Sequence, residues 1–121
     1  MTDPAAPRLF LRVTFGRAAM LGPGKAELLE RIRDTGSIAA AGRGMGMSYK
    51  RAWGLVEEMN AAFAAPLVDT TRGGPRGGGA ALTGPGAEVL RRFRAAEAAA
   101  GAAAEADLAA LRALLREPGR D

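Results

Sequence analysis

A cluster of cationic and aromatic side chains near the middle of the chain has the residue types best suited to binding chemistry. The cluster lies in the stretch SYKRAW and comprises Tyr49, Lys50, Arg51 and Trp53. Lysine and arginine donate hydrogen bonds to phosphate oxygens and base edges, and aromatic rings stack on bases. The cluster is therefore a candidate nucleic-acid contact. The alternative for Tyr49, Lys50 and Arg51 is a solvated helix face.

Trp53 has a second interpretation of its own. It is the single tryptophan of the chain, and a large indole ring is often a packing residue. Its ring is as well suited to bracing one element against another as to touching DNA.

The residue types that the chain lacks argue against catalysis and metal binding. The sequence contains no histidine and no cysteine, which removes the commonest general base, the thiol nucleophile and nearly every transition-metal site. Glu57 and Glu58 are adjacent, so on a helix their carboxylates point in different directions. We therefore expect neither an enzyme nor a bound metal or other cofactor.

Composition limits the class of protein. The 121 residues suffice for one domain, 48% are hydrophobic, and no apolar run is long enough to span a membrane. A net charge of +4 permits a nucleic-acid partner without requiring one. The first ten residues lack a secretory signal, so we expect a cytoplasmic protein with no membrane partner.

The segment before the cluster is predicted to form a strand and a helix. The strand covers 8–15, turn residues follow over 16–24, and the first helix covers 23–35 and ends at Gly36. The apolar residues that share one face of this strand are Leu9, Leu11, Val13 and Phe15.

Two capped helices joined by a glycine-rich turn are predicted next. Ser37 caps a short helix over 38–43, and Ser48 caps a third helix that runs to Ala62, because a serine hydroxyl accepts from free amides of the first turn. The turn is GMGM, residues 44–47. A capped helix start also attracts phosphate, so both serines are candidate DNA contacts as well. The core stripe of the third helix comprises Ala52, Val56, Met59 and Phe63.

A hairpin with a glycine-rich loop is predicted after the third helix. LVDT (67–70) and AALT (80–83) are typical of short strands, and the loop between them carries Arg72 and Arg76 near its tip. These arginines can reach backbone phosphates or a minor groove. The loop is not a P-loop, because no Lys and Ser or Thr follow its second glycine cluster. A single arginine-glycine segment is also more typical of a hairpin tip than of an RNA-binding repeat.

One long alanine-rich helix over 85–117 is predicted to follow, before a short tail. The apolar residues along one side of this helix are expected to be buried against another protein surface. We expect a second copy of the chain to provide that surface. The alternative is that the helix folds back on its own domain, and Gly101 permits a kink. The predicted dimerisation residues are Val89, Phe93, Ala96, Ala100, Leu108, Leu111 and Leu115.

The order of these elements predicts a fold that is mostly α with a small β wing. In a helix-turn-helix, the second helix reads the major groove with its N-terminal residues at the base edges. The short helix, the GMGM turn and the Ser48-capped helix match that arrangement. We predict a winged helix-turn-helix domain with an N-terminal strand in residues 1–84, a dimerisation helix in 85–117 and a tail in 118–121.

Two stretches of the sequence also resemble a known protein family. They are GSIAAAGRGMGMSYKRAWGLVEEMN and PLVDTTRGGPRGGGAALTGPG. Together they are similar to the DNA-binding domain of bacterial ModE-type molybdate-responsive transcriptional regulators, over roughly residues 8–100, with a more distant likeness to LysR-type N-terminal domains. The resemblance implies a winged helix-turn-helix that dimerises through long helices and binds a palindromic operator.

One part of that family's pattern has no counterpart in these residues. Members that sense molybdate carry an oxyanion-binding region after the dimerisation helix, so we carry over DNA binding and not molybdate binding. The resulting hypothesis is a homodimeric transcriptional regulator that binds a pseudo-palindromic operator in double-stranded DNA. The alternative is a protein–protein interaction module that keeps the winged fold without DNA binding.

Overall fold

The computed structural model describes residues 5–71 and 79–116 and confirms a mostly helical fold with little β-structure. Among those residues there are five helices and two antiparallel sheets of two strands each. The elements are β1 (Val13–Phe15), β2 (Ala19–Leu21), α1 (Pro23–Thr35), α2 (Ile38–Gly44), α3 (Tyr49–Ala62), β3 (Val68–Thr71), β4 (Gly79–Leu82), α4 (Gly84–Ala103) and α5 (Glu105–Ala113). None of these helices is both long and apolar enough to cross a membrane. The predicted tail, 118–121, lies outside the described residues.

The N-terminal hairpin corrects the prediction of a single strand over 8–15. Only the last three of those residues form β1, and β2 lies within the segment 16–24 that is predicted as a turn. Phe15 pairs with Ala19 at the closed end of the hairpin. Gly16, with a φ of +57°, allows the tight reversal that the prediction missed. Of the four apolar residues predicted on one face, the first three are half-buried and Phe15 is exposed.

The three central helices begin and end at the signals in the sequence. At the start of α2, Ser37 Oγ accepts a hydrogen bond from the Ala40 amide at 3.0 Å. At the start of α3, Ser48 Oγ accepts from the Arg51 amide at 3.1 Å. α1 ends at Gly36, whose φ of +69° is a left-handed conformation that suits glycine. The two predicted caps and the predicted stop are confirmed.

The core lies where the three helices, the second hairpin and α4 meet. Its largest fully buried side chains are Leu28, Leu29, Ile32, Met59, Leu67 and Val56. Within the stripe predicted for α3, Ala52, Val56 and Met59 are buried, whereas Phe63 is half-buried against the core. α2 lies close to α3 because Gly42 has no side chain. A Cβ at Gly42 would lie 2.9 Å from the Ala52 Cβ.

The second hairpin is docked on the helices by backbone hydrogen bonds. β3 and β4 are antiparallel, with Val68 opposite Leu82. The Ala80 amide of β4 donates to the Gly36 carbonyl oxygen at 2.9 Å, so β4 also bonds to the junction between α1 and α2. Both predicted strands are confirmed, each displaced by one residue from its predicted bounds.

The predicted single helix over 85–117 is two helices divided at Ala104. Gly101 weakens the helix just before the division, because glycine costs about 1 kcal/mol relative to alanine. Glu105 and Asp107 occupy the first turn of α5, where acidic side chains favour a helix start. No residue of α5 is buried, so packing against the core does not hold α5 in line with α4.

α4 packs against α1 through an apolar face and an ion pair. Leu90 and Phe93 are buried in the core. The Arg94 guanidinium donates two hydrogen bonds to the Glu30 carboxylate of α1, at 2.7 and 3.0 Å. This hydrogen bonding raises the pKa of Arg94 above its ordinary value. The predicted boundary between residues 84 and 85 stays a prediction.

Candidate nucleic-acid interface

The first half of α3 presents the predicted cluster to solvent. Tyr49 is 59% exposed, and Lys50 and Arg51 are exposed as well. Ala52 and Val56 are buried on the opposite side of the helix. The helix therefore packs by one face and leaves three of the four cluster residues accessible to a partner.

Trp53 takes part both in packing and in the exposed cluster. The residue is half-buried and lies against the core. Its ring stacks with that of Tyr49, with centroids 6.4 Å apart and planes inclined by 18°. Trp53, one turn further along α3, thus packs against the exposed Tyr49 ring, and the two rings form one aromatic surface.

Charge is unevenly distributed along α3. Lys50 and Arg51 lie in its first turn, and no acidic side chain in residues 5–71 and 79–116 pairs with either. Glu57 and Glu58 are exposed in its second half. An anionic partner is therefore attracted to the start of the helix.

Asn60 fastens the last turn of α3 to the second hairpin. Its Oδ1 accepts from the amides of Leu67 and Val68, at 2.8 and 3.1 Å, and its Nδ2 donates to the Val68 carbonyl oxygen at 3.1 Å. One side chain thus satisfies three backbone groups. Asn60 was not predicted to have a role of its own. The sequence signal that could have predicted this role is the side-chain amide of Asn60, directly after Met59, the last buried residue of the α3 stripe.

Lys25 joins α3 to the N-terminal half of the chain. Its ammonium is buried, with 7% of the residue exposed, and it donates to the Met20 carbonyl oxygen at 2.9 Å and to Glu58 Oε1 at 3.2 Å. A buried charge needs such partners. The burial of Lys25 was not predicted, because nothing in its type or spacing distinguishes it from an exposed lysine.

The remaining predicted DNA contacts are two serines and the two arginines of the hairpin loop. Ser48 is exposed and Ser37 is half-buried, and both hydroxyls serve as helix caps. Arg72 and Arg76 lie outside the described residues, so their assignment stays a prediction from the sequence.

The residues predicted for dimerisation fall into two groups. Phe93 is buried in the core of its own chain, and Val89 packs partly against that core, as the alternative of folding back implies. The residues of the outer group are exposed or half-buried, and they are Ala96, Ala100, Leu108, Leu111 and Leu115. Leu114, which the sequence analysis did not name, is 82% exposed beside them.

The acidic residues do not converge into a catalytic or metal site where the structure describes them. Glu57 and Glu58 are both exposed, and Glu58 is bound to Lys25. In residues 5–71 and 79–116 there is no group of three or more acidic side chains placed to hold a metal ion. The accessible chemistry of this region is donation of hydrogen bonds to an anionic partner.

Comparison with known proteins identifies relatives of the chain, although no protein-family model matches it. It is 46% identical over 80 residues to the molybdenum-pterin-binding protein MopB of Rhodobacter capsulatus, covering 66% of this chain and 30% of MopB. It is 34% identical over 85 residues to the transcriptional regulator ModE of Haemophilus influenzae, covering 70% and 33%. It is 38% identical over 71 residues to the DNA-binding transcriptional dual regulator ModE of Escherichia coli, covering 59% and 27%. The chain is a ModE-type relative.

The family resemblance inferred from the motifs is thereby confirmed. The similarity covers 59% to 70% of the chain, but the chain spans only 27% to 33% of the length of these relatives. Their names describe a molybdenum-pterin-binding protein and transcriptional regulators, and none of the three names an enzyme. The ModE similarity links the chain to molybdate-related regulators at the level of the family.

Proposed function

We propose that this ModE-type relative is a cytoplasmic, homodimeric transcriptional regulator that binds a pseudo-palindromic operator through a winged helix-turn-helix. In this proposal α2 is the supporting helix, α3 is the reading helix in the major groove, and the β3–β4 hairpin is the wing. The observation that carries the proposal is the exposed cationic start of α3, which has no acidic partner in the described part of the chain.

The charges at the start of α3 are not the ones that the helix itself favours. The free amides of a helix N-terminus carry partial positive charge, so each cation placed there costs roughly 0.3–1 kcal/mol. α3 has Lys50 and Arg51 in its first turn and no acidic residue there. DNA phosphates would offset this repulsion. Lys50 and Arg51 therefore have a role in binding, whereas they do not stabilise the helix itself.

The packing around α3 supports a reading helix held at a fixed position. Gly42 lets α2 lie directly against α3, which is the close helix pair that a helix-turn-helix needs. Asn60 and Lys25 hold the second half of α3 from two sides. The first half is left to project its side chains outward.

The hairpin is anchored in a manner that suits a wing. β3 bonds to Asn60 at the end of α3, and β4 bonds to Gly36 at the start of the helix-turn-helix. The two strands that precede and follow Arg72 and Arg76 in the sequence are therefore both fixed to the proposed reading unit. We propose that these two arginines contact phosphates beside the major groove.

Exposed leucines in α5 and just after it support the pairing of two copies. Leu111, in α5, and Leu115, two residues after the end of that helix, are each 60% exposed. Burial of such apolar surface against a partner is favourable, and a second copy presents the same surface across a two-fold axis. The proposal requires the two reading helices to lie about 34 Å apart, which is one turn of DNA.

Molybdenum is not part of the proposal. The name of MopB describes a molybdenum-pterin-binding protein, and the chain covers 30% of it. The cationic start of α3 and the anchored hairpin, by contrast, lie within the described part of the chain. The proposal therefore stops at DNA binding and dimerisation.

Selection of bound sequences from random double-stranded DNA tests the proposal. We expect enrichment of an inverted repeat whose half-sites are about 10 base pairs apart, with an affinity that falls steeply as salt is raised. A protein that enriches no sequence and binds no duplex would overturn the proposal and favour the interaction module that keeps the fold without DNA binding.

A further inference from the structure

A surface groove lies beside the start of α3, where the N-terminus of α1 faces it. The groove has a volume of about 210 Å³. Three different parts of the chain meet in it, because Arg12 lies just before β1, Lys25 lies in α1 and Arg51 lies in α3. Ser37 and Ser48, the described predicted DNA contacts outside α3, do not border this groove.

The groove carries two positive charges that no carboxylate compensates among the described residues. Arg12 and Arg51 are both exposed, and within 5–71 and 79–116 neither forms an ion pair. Lys25 also lines the groove, but Glu58 lies 3.2 Å from its ammonium and neutralises it. A ligand in the groove therefore meets a net positive surface.

Gly22, Pro23, Gly24 and three large apolar side chains line the rest of the groove. The three large side chains are Met20, Met47 and Leu55. The occupant that matches this lining has anionic groups separated by less polar units. The sugar–phosphate backbone of DNA has that chemistry, because each phosphate is linked to the next through a deoxyribose ring.

We infer that this groove binds the DNA backbone next to the reading helix, and that Arg12 is a phosphate contact outside the helix-turn-helix and the wing. The inference rests on the proposed function, because Arg51 at the start of the reading helix forms one side of the groove. Arg12 extends the interface to the N-terminal segment. Because a phosphate contact carries no base information, Arg12 strengthens binding to every sequence alike.

The test compares Arg12→Ala with Arg8→Ala in the full chain, using the duplex recovered by selection. Arg8 lies in the same segment, but its guanidinium stacks on Phe10 at 5.0 Å and it lines a different groove, next to α4. Fluorescence anisotropy over a series of salt concentrations gives the slope of log K against log salt. Arg12→Ala is expected to reduce that slope by about 1, and to weaken selected and unrelated duplexes by the same factor. Arg8→Ala is expected to leave the slope unchanged.

Arg12→Lys separates charge from folding, because it keeps the cation and is expected to retain most of the slope. An Arg12→Ala slope equal to that of the wild type, or an equal reduction in Arg8→Ala, would overturn the inference while DNA binding stands. If the wild-type protein binds no duplex at all, the proposed function fails instead.

Discussion

The Asn60 Nδ2 donates to the Val68 carbonyl oxygen at 3.1 Å, which ties the last turn of α3 to the first residue of β3. The Oδ1 of the same side chain accepts from two successive backbone amides at the start of that strand. The helix that carries the cationic cluster and the hairpin that follows it are therefore held at a fixed angle. In the proposed winged helix-turn-helix, this angle decides whether helix and hairpin reach DNA together.

Replacing Asn60 by alanine is expected to lower the free energy of unfolding by about 1–3 kcal/mol. The amides of Leu67 and Val68 are in buried residues, and a buried group left without its partner costs about that much. Urea unfolding followed by circular dichroism measures the change. Glu57→Ala is the matched control on the exposed face of the same helix, with an expected change within about 0.5 kcal/mol. Equal losses in the two variants would show that the Asn60 bonds add nothing to stability.

Two glycines of α4 are expected to respond in opposite directions to substitution by alanine. A Cβ at Gly86 would overlap the Leu67 carbonyl group, whose carbon would lie only 2.9 Å away. Gly86→Ala is therefore expected to lower the free energy of unfolding by about 1–3 kcal/mol. Gly101 faces open space, so Gly101→Ala is expected to raise it by about 0.5–1 kcal/mol. Thermal melting compares the two, and an unchanged Tm for Gly86→Ala would contradict the close packing.

The helix ends of the central unit were predictable because their signals are local. Ser37 and Ser48 each cap a helix three residues before the amide that they bind. Gly36 ends α1 by its own backbone conformation. The apolar stripe of α3 is equally local, since helical spacing alone puts Ala52, Val56 and Met59 on one side. The exposure of Lys50 and Arg51 follows from that stripe, so most of the candidate site was accessible from the sequence.

The parts that the sequence did not reveal depend on contacts between distant residues. The buried charge of Lys25 is compensated by Glu58, 33 positions later, which accepts a hydrogen bond from its ammonium. Phe93 lies on an apolar stripe that could be covered by a second copy or by its own chain, and spacing does not distinguish the two. The break at Ala104 arises because α5 has no buried residue to hold it in line with α4.

Replacing Lys50 by alanine is expected to weaken binding to the selected duplex by about 5- to 150-fold, equivalent to about 1–3 kcal/mol for a base or phosphate contact. The side chain is exposed in the first turn of the proposed reading helix. Arg92→Ala is the matched control. It removes the same charge from α4, and the partner of Arg92, Glu88, stays paired with Arg91. Anisotropy titrations of both variants at one salt concentration measure the effect. Equal affinities of Lys50→Ala and Arg92→Ala for the duplex would show that Lys50 does not contact DNA.

Replacing Leu111 and Leu115 together by glutamate is expected to convert the protein from a dimer into a monomer. Both side chains are 60% exposed, with Leu111 in α5 and Leu115 two residues after the end of that helix. If these two leucines form the contact between copies, the double variant must bury four carboxylates in an apolar interface, which is strongly unfavourable. Sedimentation equilibrium at several concentrations measures the mass. Wild-type protein that sediments as a monomer would contradict the dimer directly.

Ala106→Glu is the matched control for this double variant. Ala106 is exposed and, by helical spacing, lies on the face of α5 away from Leu111. An acidic residue in the first turn of a helix does not destabilise it. The control is expected to remain dimeric, and its dissociation would attribute the effect to charge repulsion. Because a two-half-site operator engages both reading helices, the leucine variant is expected to lose more affinity for the inverted repeat than for an isolated half-site. Equal losses on the two duplexes would place these leucines outside the pairing surface.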